Sequence, residues 1–169
     1  KSVREMIVLA KEKPGQINYG SGGSGSSSHL AMELFKSMAG VDLTHIPYKG
    51  TGPMFAELIG GQLSATIASA VPLIPQVKAG KLRGLAVTGA KRAAAMPDLP
   101  TIGETVPGYE VTNWFGIVAP RGTPRAIISR VNAELNLALK TTALKELLGA
   151  QGAEPAGGTP EEFAALIKR

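Results

Sequence analysis

The feature that most constrains this chain is a unit repeated between residues 17 and 87: a short apolar run, a turn marked by glycine or proline, then an apolar stripe at helical spacing. Ile17-Asn18-Tyr19 leads through a glycine/serine run, Gly20 to Ser28, into Leu30, Ala31, Leu34, Phe35 and Met38, which stop at Gly40. Leu43 to Ile46 leads through Pro47 to Gly52 into a helix with Pro53 in its first turn, closed by Gly60-Gly61. Leu63 to Ile67 precedes a helix opened by Pro72 and closed by Gly80, and Leu82 to Val87 is a fourth run. Apolar runs this short are strands, and strands alternating with helices at this spacing indicate parallel pairing. The expected fold class is therefore α/β, a mostly parallel sheet with helices on both faces.

The flanks read differently. Ser2 with Glu5 forms a capping-box pattern ahead of Val3, Met6, Ile7 and Ala10, so a helix precedes the first strand and ends at Pro14-Gly15. Gly89 to Pro107 is a proline-rich loop with room for one helical turn, and Asn113 to Ala119 is strand-like. Thr123 as cap and Pro124 as first residue open a long amphipathic helix carrying Ile127, Ile128, Val131, Leu135 and Leu139. A shorter helix carries Leu144, Leu147 and Leu148, and Thr159-Pro160-Glu161-Glu162 starts the last, with both acids at its positive end. These C-terminal stripes need a sheet to cover, and the sheet of residues 17–87 need not be theirs. Part of a larger protein is expected to be missing.

Apolar residues are 44% and charged residues 18% of 169, as in an ordinary globular protein, and no apolar run approaches a membrane span. The net charge is +5, and no acid falls between Glu57 and Asp98, where Lys78, Lys81, Arg83, Lys91 and Arg92 stand. No aromatic residues interleave these cations as a base-stacking platform requires, so they read as a solvated face and nucleic acid is not an expected partner. The absence of cysteine excludes disulfides, thiolate catalysis and thiolate-bound metals.

Catalytic constellations are weak. Ser26, His29 and Asp42 can be assembled on paper into a triad, but no nucleophile elbow accompanies them. His29 and His45 lack metal-ligand spacing. No catalytic residue, metal site or cofactor is expected. The informative stretch is Tyr19 to His29, where a glycine/serine loop leaves a strand and opens a helix. Glycine lets backbone approach a ligand, and the first helical amides lack internal partners at the positive end of the dipole. Such a loop is an anion seat at the carboxyl end of a strand. It lacks the Gly-Lys-Ser/Thr of a phosphate-cradling loop and the third glycine of a dinucleotide fingerprint. Gly23, Ser24, Gly25, Ser26, Ser27 and His29 are the candidate ligand-binding residues. At the end of the next strand, His45 to Gly52 offers Tyr48 and Lys49; a ligand-flanking loop and a rigid packed turn are both open there.

Three pieces stand in order: the loop from Tyr19 to Leu30, His45-Ile46-Pro47-Tyr48-Lys49-Gly50, and Gly80-Lys81-Leu82-Arg83-Gly84-Leu85-Ala86-Val87-Thr88. Lys91-Arg92, Pro97-Asp98-Leu99-Pro100-Thr101, Pro107-Gly108-Tyr109-Glu110 and Trp114-Phe115-Gly116-Ile117-Val118-Ala119-Pro120 follow. The combination resembles the Bug/TctC family of extracytoplasmic solute receptors of tripartite tricarboxylate transporters, over essentially the whole chain. The resemblance implies a type II periplasmic-binding-protein lobe truncated at the N-terminus. Residues 1–16 would be a helix leading from the missing first lobe, 17–113 the second, ligand-binding lobe, and 114–169 a hinge strand plus C-terminal helices belonging to the first lobe.

It further implies an exported, periplasmic receptor that closes on a small carboxylate and delivers it to a membrane permease. Gly23, Gly25, Ser26 and Ser27 would line the cleft, with Tyr48 and Lys49 flanking it. The family tends to carry two acids where Ser64 and Ala68 stand; their loss near the cleft disfavours amino-group ligands and leaves a simple carboxylate. Orphaned helix faces imply self-association through the truncated first lobe. Two alternatives remain: the effector domain of a transcription regulator, which requires an upstream helix-turn-helix, and a serine-loop transferase.

Overall fold

A computed structural model describes residues 2–168. They separate into two compact units, residues 1–113 and 114–169.

In the first unit the sheet is three-stranded and parallel: β1 (Asn18–Ser21) lies between β2 (Thr44–Pro47) and β3 (Ala65–Thr66). Tyr19 sits opposite His45 on one side and Ala65 on the other. Successive strand residues point to opposite faces. Tyr19 is buried among Val3 and Ala10 of α1 (Val3–Glu12), Met32 and Phe35 of α2 (Ser27–Ala39), Leu43, and Ile102, Val106 and Tyr109. Gly20 faces the other way, against Met54 of α3 (Thr51–Ile59) and Leu63; a Cβ there would come within 2.7 Å of Met54. Helices therefore cover both faces. α3 approaches so closely because position 20 has no side chain.

The strands are short for local reasons. The Asn18 amide donates to Gln62 O (3.0 Å) and accepts from Ser64 N (2.7 Å), pinning the entrance of β3 with a side chain rather than a ladder. Thr66 closes the far end, its hydroxyl donating to Gly20 O at 2.9 Å. Beyond β3, α4 (Ala70–Lys78) starts two residues before Pro72, and the 3-10 turn η1 (Ile102–Glu104) is locked by a capping box between Thr101 and Glu104.

Three sequence expectations are corrected. The run Leu82 to Val87 joins no sheet: its one bridge pairs Val87 with Thr101, and Gly84 packs on Leu99, where a Cβ would lie 2.8 Å from Cδ1. The 97–101 segment has taken the place of a neighbouring strand. Residues 113–119 form no strand either, because the second unit holds no described strand to pair with them. In α5 (Arg125–Lys140), Pro124 is the cap rather than the first helical residue, and the Thr123 hydroxyl donates to Pro120 O at 2.9 Å.

The second unit is helical: α5, α6 (Thr142–Ala150) and α7 (Pro160–Ile167). α7 opens with the Thr159–Glu162 capping box. Asn136 of α5 holds the preceding loop, donating to Gly158 O and accepting from Gly158 N, both at 2.9 Å. Trp114 meets Phe163 edge-on at 5.2 Å, while Phe115, Ile117 and Val118 are exposed.

Candidate functional site

All three strands run parallel, so their carboxyl ends gather at one edge of the sheet, and the glycine/serine loop leaves there. Residues 22–26 turn through two positive-φ glycines, Gly23 (φ 130) and Gly25 (φ 79), a region closed to most side chains. Ser26 then caps α2, accepting the His29 N–H at 3.4 Å.

The second loop lies directly against the first. Tyr48 N donates to Ser21 O and Gly50 N to Gly22 O, each at 3.1 Å, which prolongs the β1–β2 pairing past both strands. A Cβ on Gly23 would stand 3.2 Å from Tyr48 O. Tyr48 is half-buried; burial, with Glu57 beside it, raises its phenol above the ordinary range. Lys49 is exposed and makes no hydrogen bond or ion pair among the described residues.

Most of the loop amides are satisfied internally, which narrows the sequence reading. Gly22 N donates to Ser28 Oγ (3.0 Å), Gly23 N to Ser21 Oγ (3.2 Å), Gly25 N to His29 Nδ1 (3.1 Å) and Ser26 N to Gly23 O (3.1 Å). Among the described residues, the amides of Ser24, Ser27 and Ser28 have no partner. Ser24 and Ser27 are exposed and Ser28 is buried. The anion seat is thus the first turn of α2 plus Ser24, with Gly23 and Gly25 shaping it rather than donating to it. α2 has no acidic residue in its first turn to compete for the positive end of its dipole.

Beneath the loop runs a stack of rings. Tyr19 lies on His45 (centroids 4.9 Å, 21°), and His45 on His29 (4.2 Å, 27°). Ser21 Oγ is 2.7 Å from His45 Nε2. The Tyr19 hydroxyl donates to Glu33 at 2.6 Å, and Lys36 donates to the same carboxylate oxygen at 2.8 Å. Burial, then Glu33, raises the Tyr19 phenol; the bonds from Lys36 and Tyr19 hold Glu33 below the ordinary range. Burial, then the neighbouring His29, lowers His45.

Sequence reasoning missed Ser21, Ser28 and His45 as parts of this site. The alternation of Tyr19 and Ser21 on one strand face was a signal for the first; the others depend on how α2 and β2 lie across β1. The paper triad does not assemble. Ser26 Oγ is bound to Gly23 O at 2.6 Å, and Asp42 lies at the amino ends of the strands, where its carbonyl accepts from Gly15 N. Ser64 is corrected likewise: bonded to Asn18 at the entrance of β3, it is at the opposite end of the sheet from the loop, so an acid lost there removes nothing from the site.

A parallel α/β lobe with free amides on the loop at its carboxyl edge can seat a small anion. All 169 residues match the family model described as the tripartite tricarboxylate transporter family receptor, TctC. The chain belongs to that family.

Among its relatives, BugT of Bordetella pertussis is 35% identical over 167 residues, 98% of this chain and 51% of that protein. Among solved structures, R. palustris Rpa4515 with adipate has a TM-score of 0.96 and 41% identity, over 99% of this chain and 56% of that one. The periplasmic binding protein BugD matches with a TM-score of 0.91 and 32% identity, over 99% of this chain and 57% of that one. MatC of Rhodopseudomonas palustris, with bound malate, matches with a TM-score of 0.87 and 30% identity, over 99% of this chain and 58% of that one. The chain thus spans about half the length of each of these four proteins. No helix among the described residues is long and apolar enough to cross a membrane.

Proposed function

We propose that this chain is the ligand-seating part of a periplasmic solute receptor that captures a small carboxylate and hands it to the permease of a tripartite tricarboxylate-type transporter. The observation that carries the reading is the set of unpartnered amides at Ser24, Ser27 and Ser28, gathered at the positive end of α2. An ionised oxygen accepting such N–H groups forms charge-assisted bonds, about twice as strong as neutral ones. Adipate in one structural neighbour and malate in another support a dicarboxylate.

Residues 17–113 act as one lobe of the receptor. Residues 114–169 return the chain to the other lobe, and residues 1–16 lead from it. The exposed apolar positions of 114–118 then belong to the segment that crosses between the lobes. Closure of the second lobe is driven only by the ligand's higher affinity for the closed form. A binding role rather than catalysis is favoured by the nearest serine–histidine pair: Ser21 is fully buried, so its 2.7 Å approach to His45 presents no nucleophile to a substrate.

The test is calorimetry with adipate, malate and dimethyl adipate. Binding of the two acids, weakened by salt, with no heat from the ester is expected. Equal binding of ester and acid, or no binding of any carboxylate, overturns the reading.

A further inference from the structure

The glycines permit the turn of the ligand loop, but they do not choose it, because glycine is free to adopt many other backbone conformations. What selects one conformation must be a bond from the loop to something rigid. Among the described residues, one side chain outside the 22–28 turn and β1 reaches a loop amide: His29, whose Nδ1 accepts the Gly25 N–H at 3.1 Å. Gly25 itself is exposed, and a Cβ at that position would meet nothing within 4 Å, so packing does not hold it.

The His29 ring is held firmly. One face lies on His45 at 4.2 Å, His45 lies on the buried Tyr19 at 4.9 Å, and Ser21 Oγ meets the edge of His45 at 2.7 Å. Core, strand β2 and helix α2 are thereby connected to Gly25 through one imidazole nitrogen, beside the bonds that Ser21 and Ser28 make to Gly23 and Gly22. An imidazole nitrogen accepts a hydrogen bond only when it carries no proton. The bond from Gly25 therefore requires a bare Nδ1, with the ring's hydrogen on Nε2.

We propose that His29 is the positioning residue of the carboxylate loop: its bare Nδ1, braced by the His45–Tyr19 stack, anchors Gly25 and so aims the free amides of Ser24 and Ser27. His29 acts through the loop and does not touch the ligand, and in this it differs from the ligand-contacting role expected from sequence. The ligand half of the statement rests on the carboxylate reading above. Protonation at Nδ1 places an N–H against the Gly25 N–H and breaks the anchor. The titratable and charged groups around the ring are His45 on β2, Tyr19 on β1, and Glu33 and Lys36 on α2; Glu33 is bonded to Tyr19 and Lys36. An asparagine places Oδ1 the same number of bonds from the backbone as histidine Nδ1, and an amide oxygen accepts a hydrogen bond without first losing a proton.

Three measurements on the whole chain decide it. Long-range 15N–1H spectra above neutral pH should show His29 with a bare Nδ1 and a coupling to the Gly25 amide nitrogen; a protonated Nδ1 overturns the proposal. Once the His29 ring is protonated that coupling should be lost, and a coupling that survives protonation overturns the proposal as well. At pH 8, His29→Asn should bind adipate within about threefold of the unmodified protein while His29→Ala binds it about five- to tenfold more weakly, the weight of one net hydrogen bond. Equal affinity of the two variants overturns the positioning role. If His29→Ala does not fold, the spectra of the unmodified chain decide alone. If no carboxylate binds but the coupling is present, the carboxylate reading fails and the loop anchor stands.

Discussion

Ser27 allows a single hydrogen-bond donor to be removed from the seat with little other change. It is the first residue of α2, its amide has no partner among the described residues, and its side chain is exposed. Proline is well suited to the first helical position, where its missing N–H breaks no bond of the helix and its fixed φ matches. The residue before a proline must be extended, and Ser26 is, at φ −67 and ψ 160. Ser27→Pro should therefore leave stability unchanged or raise it by about 0.4–1 kcal/mol, through a less flexible unfolded chain. A hydrogen bond to a charged group is worth about 1.5–3 kcal/mol, so loss of the Ser27 donor should weaken dicarboxylate binding by roughly 10- to 100-fold. Ser27→Ala, which keeps the N–H and removes the hydroxyl, is the control. Calorimetry with adipate reads affinity and thermal unfolding by circular dichroism reads stability. Refutation is simple: a proline variant that melts normally and binds adipate as tightly as the alanine variant removes the first turn of α2 from the site.

Other perturbations test the scaffold. Gly20→Ala drives a methyl into Leu63 and to 2.7 Å from Met54, and overpacking of this kind should cost about 1–3 kcal/mol in denaturant melts. Asn136→Ala leaves both Gly158 bonds unmade; a loss of about 1–2 kcal/mol confined to the second unit is expected, visible as faster amide exchange near α7. Glu33 is held below the ordinary glutamate value of 4.5 chiefly by Lys36 and then by Tyr19. A depressed carboxylate contributes stability that is present above the unfolded value and lost as pH falls through the folded one. Melting temperature should accordingly drop below about pH 4.5, and Glu33→Gln should flatten that part of the profile; an unchanged profile would show that the Tyr19–Glu33–Lys36 group contributes nothing to acid sensitivity.

The alternation of strand and helix through residue 80 was legible because it rests on local rules. Period-two and helical apolar spacing, the Ser26 cap and the Gly40 stop each act within a turn or two of chain. The chemistry of the glycine/serine loop was legible for the same reason, since unpartnered amides belong to any helix start. What was not legible was which of those amides remain free. That depends on Ser21, Ser28 and His29 consuming the donors of Gly23, Gly22 and Gly25.

Residues 82–87 make the same point for the fold. Leu82, Leu85 and Val87 have the composition of a strand, yet a strand needs an edge to pair with, and here Gly84 packs on Leu99 while Val87 bridges Thr101. The order β2-β1-β3, the approach of α3 to Gly20, and the ring stack that joins His29 to His45 across 16 residues of sequence are likewise decisions of tertiary structure. The amino-acid sequence by itself determined the class of fold and placed an anion-seeking loop at the strand ends, because propensity, capping and glycine conformation are local. Only the packed chain decided which amides face outward, because hydrogen-bond partners distant in sequence compete for them once the elements have met.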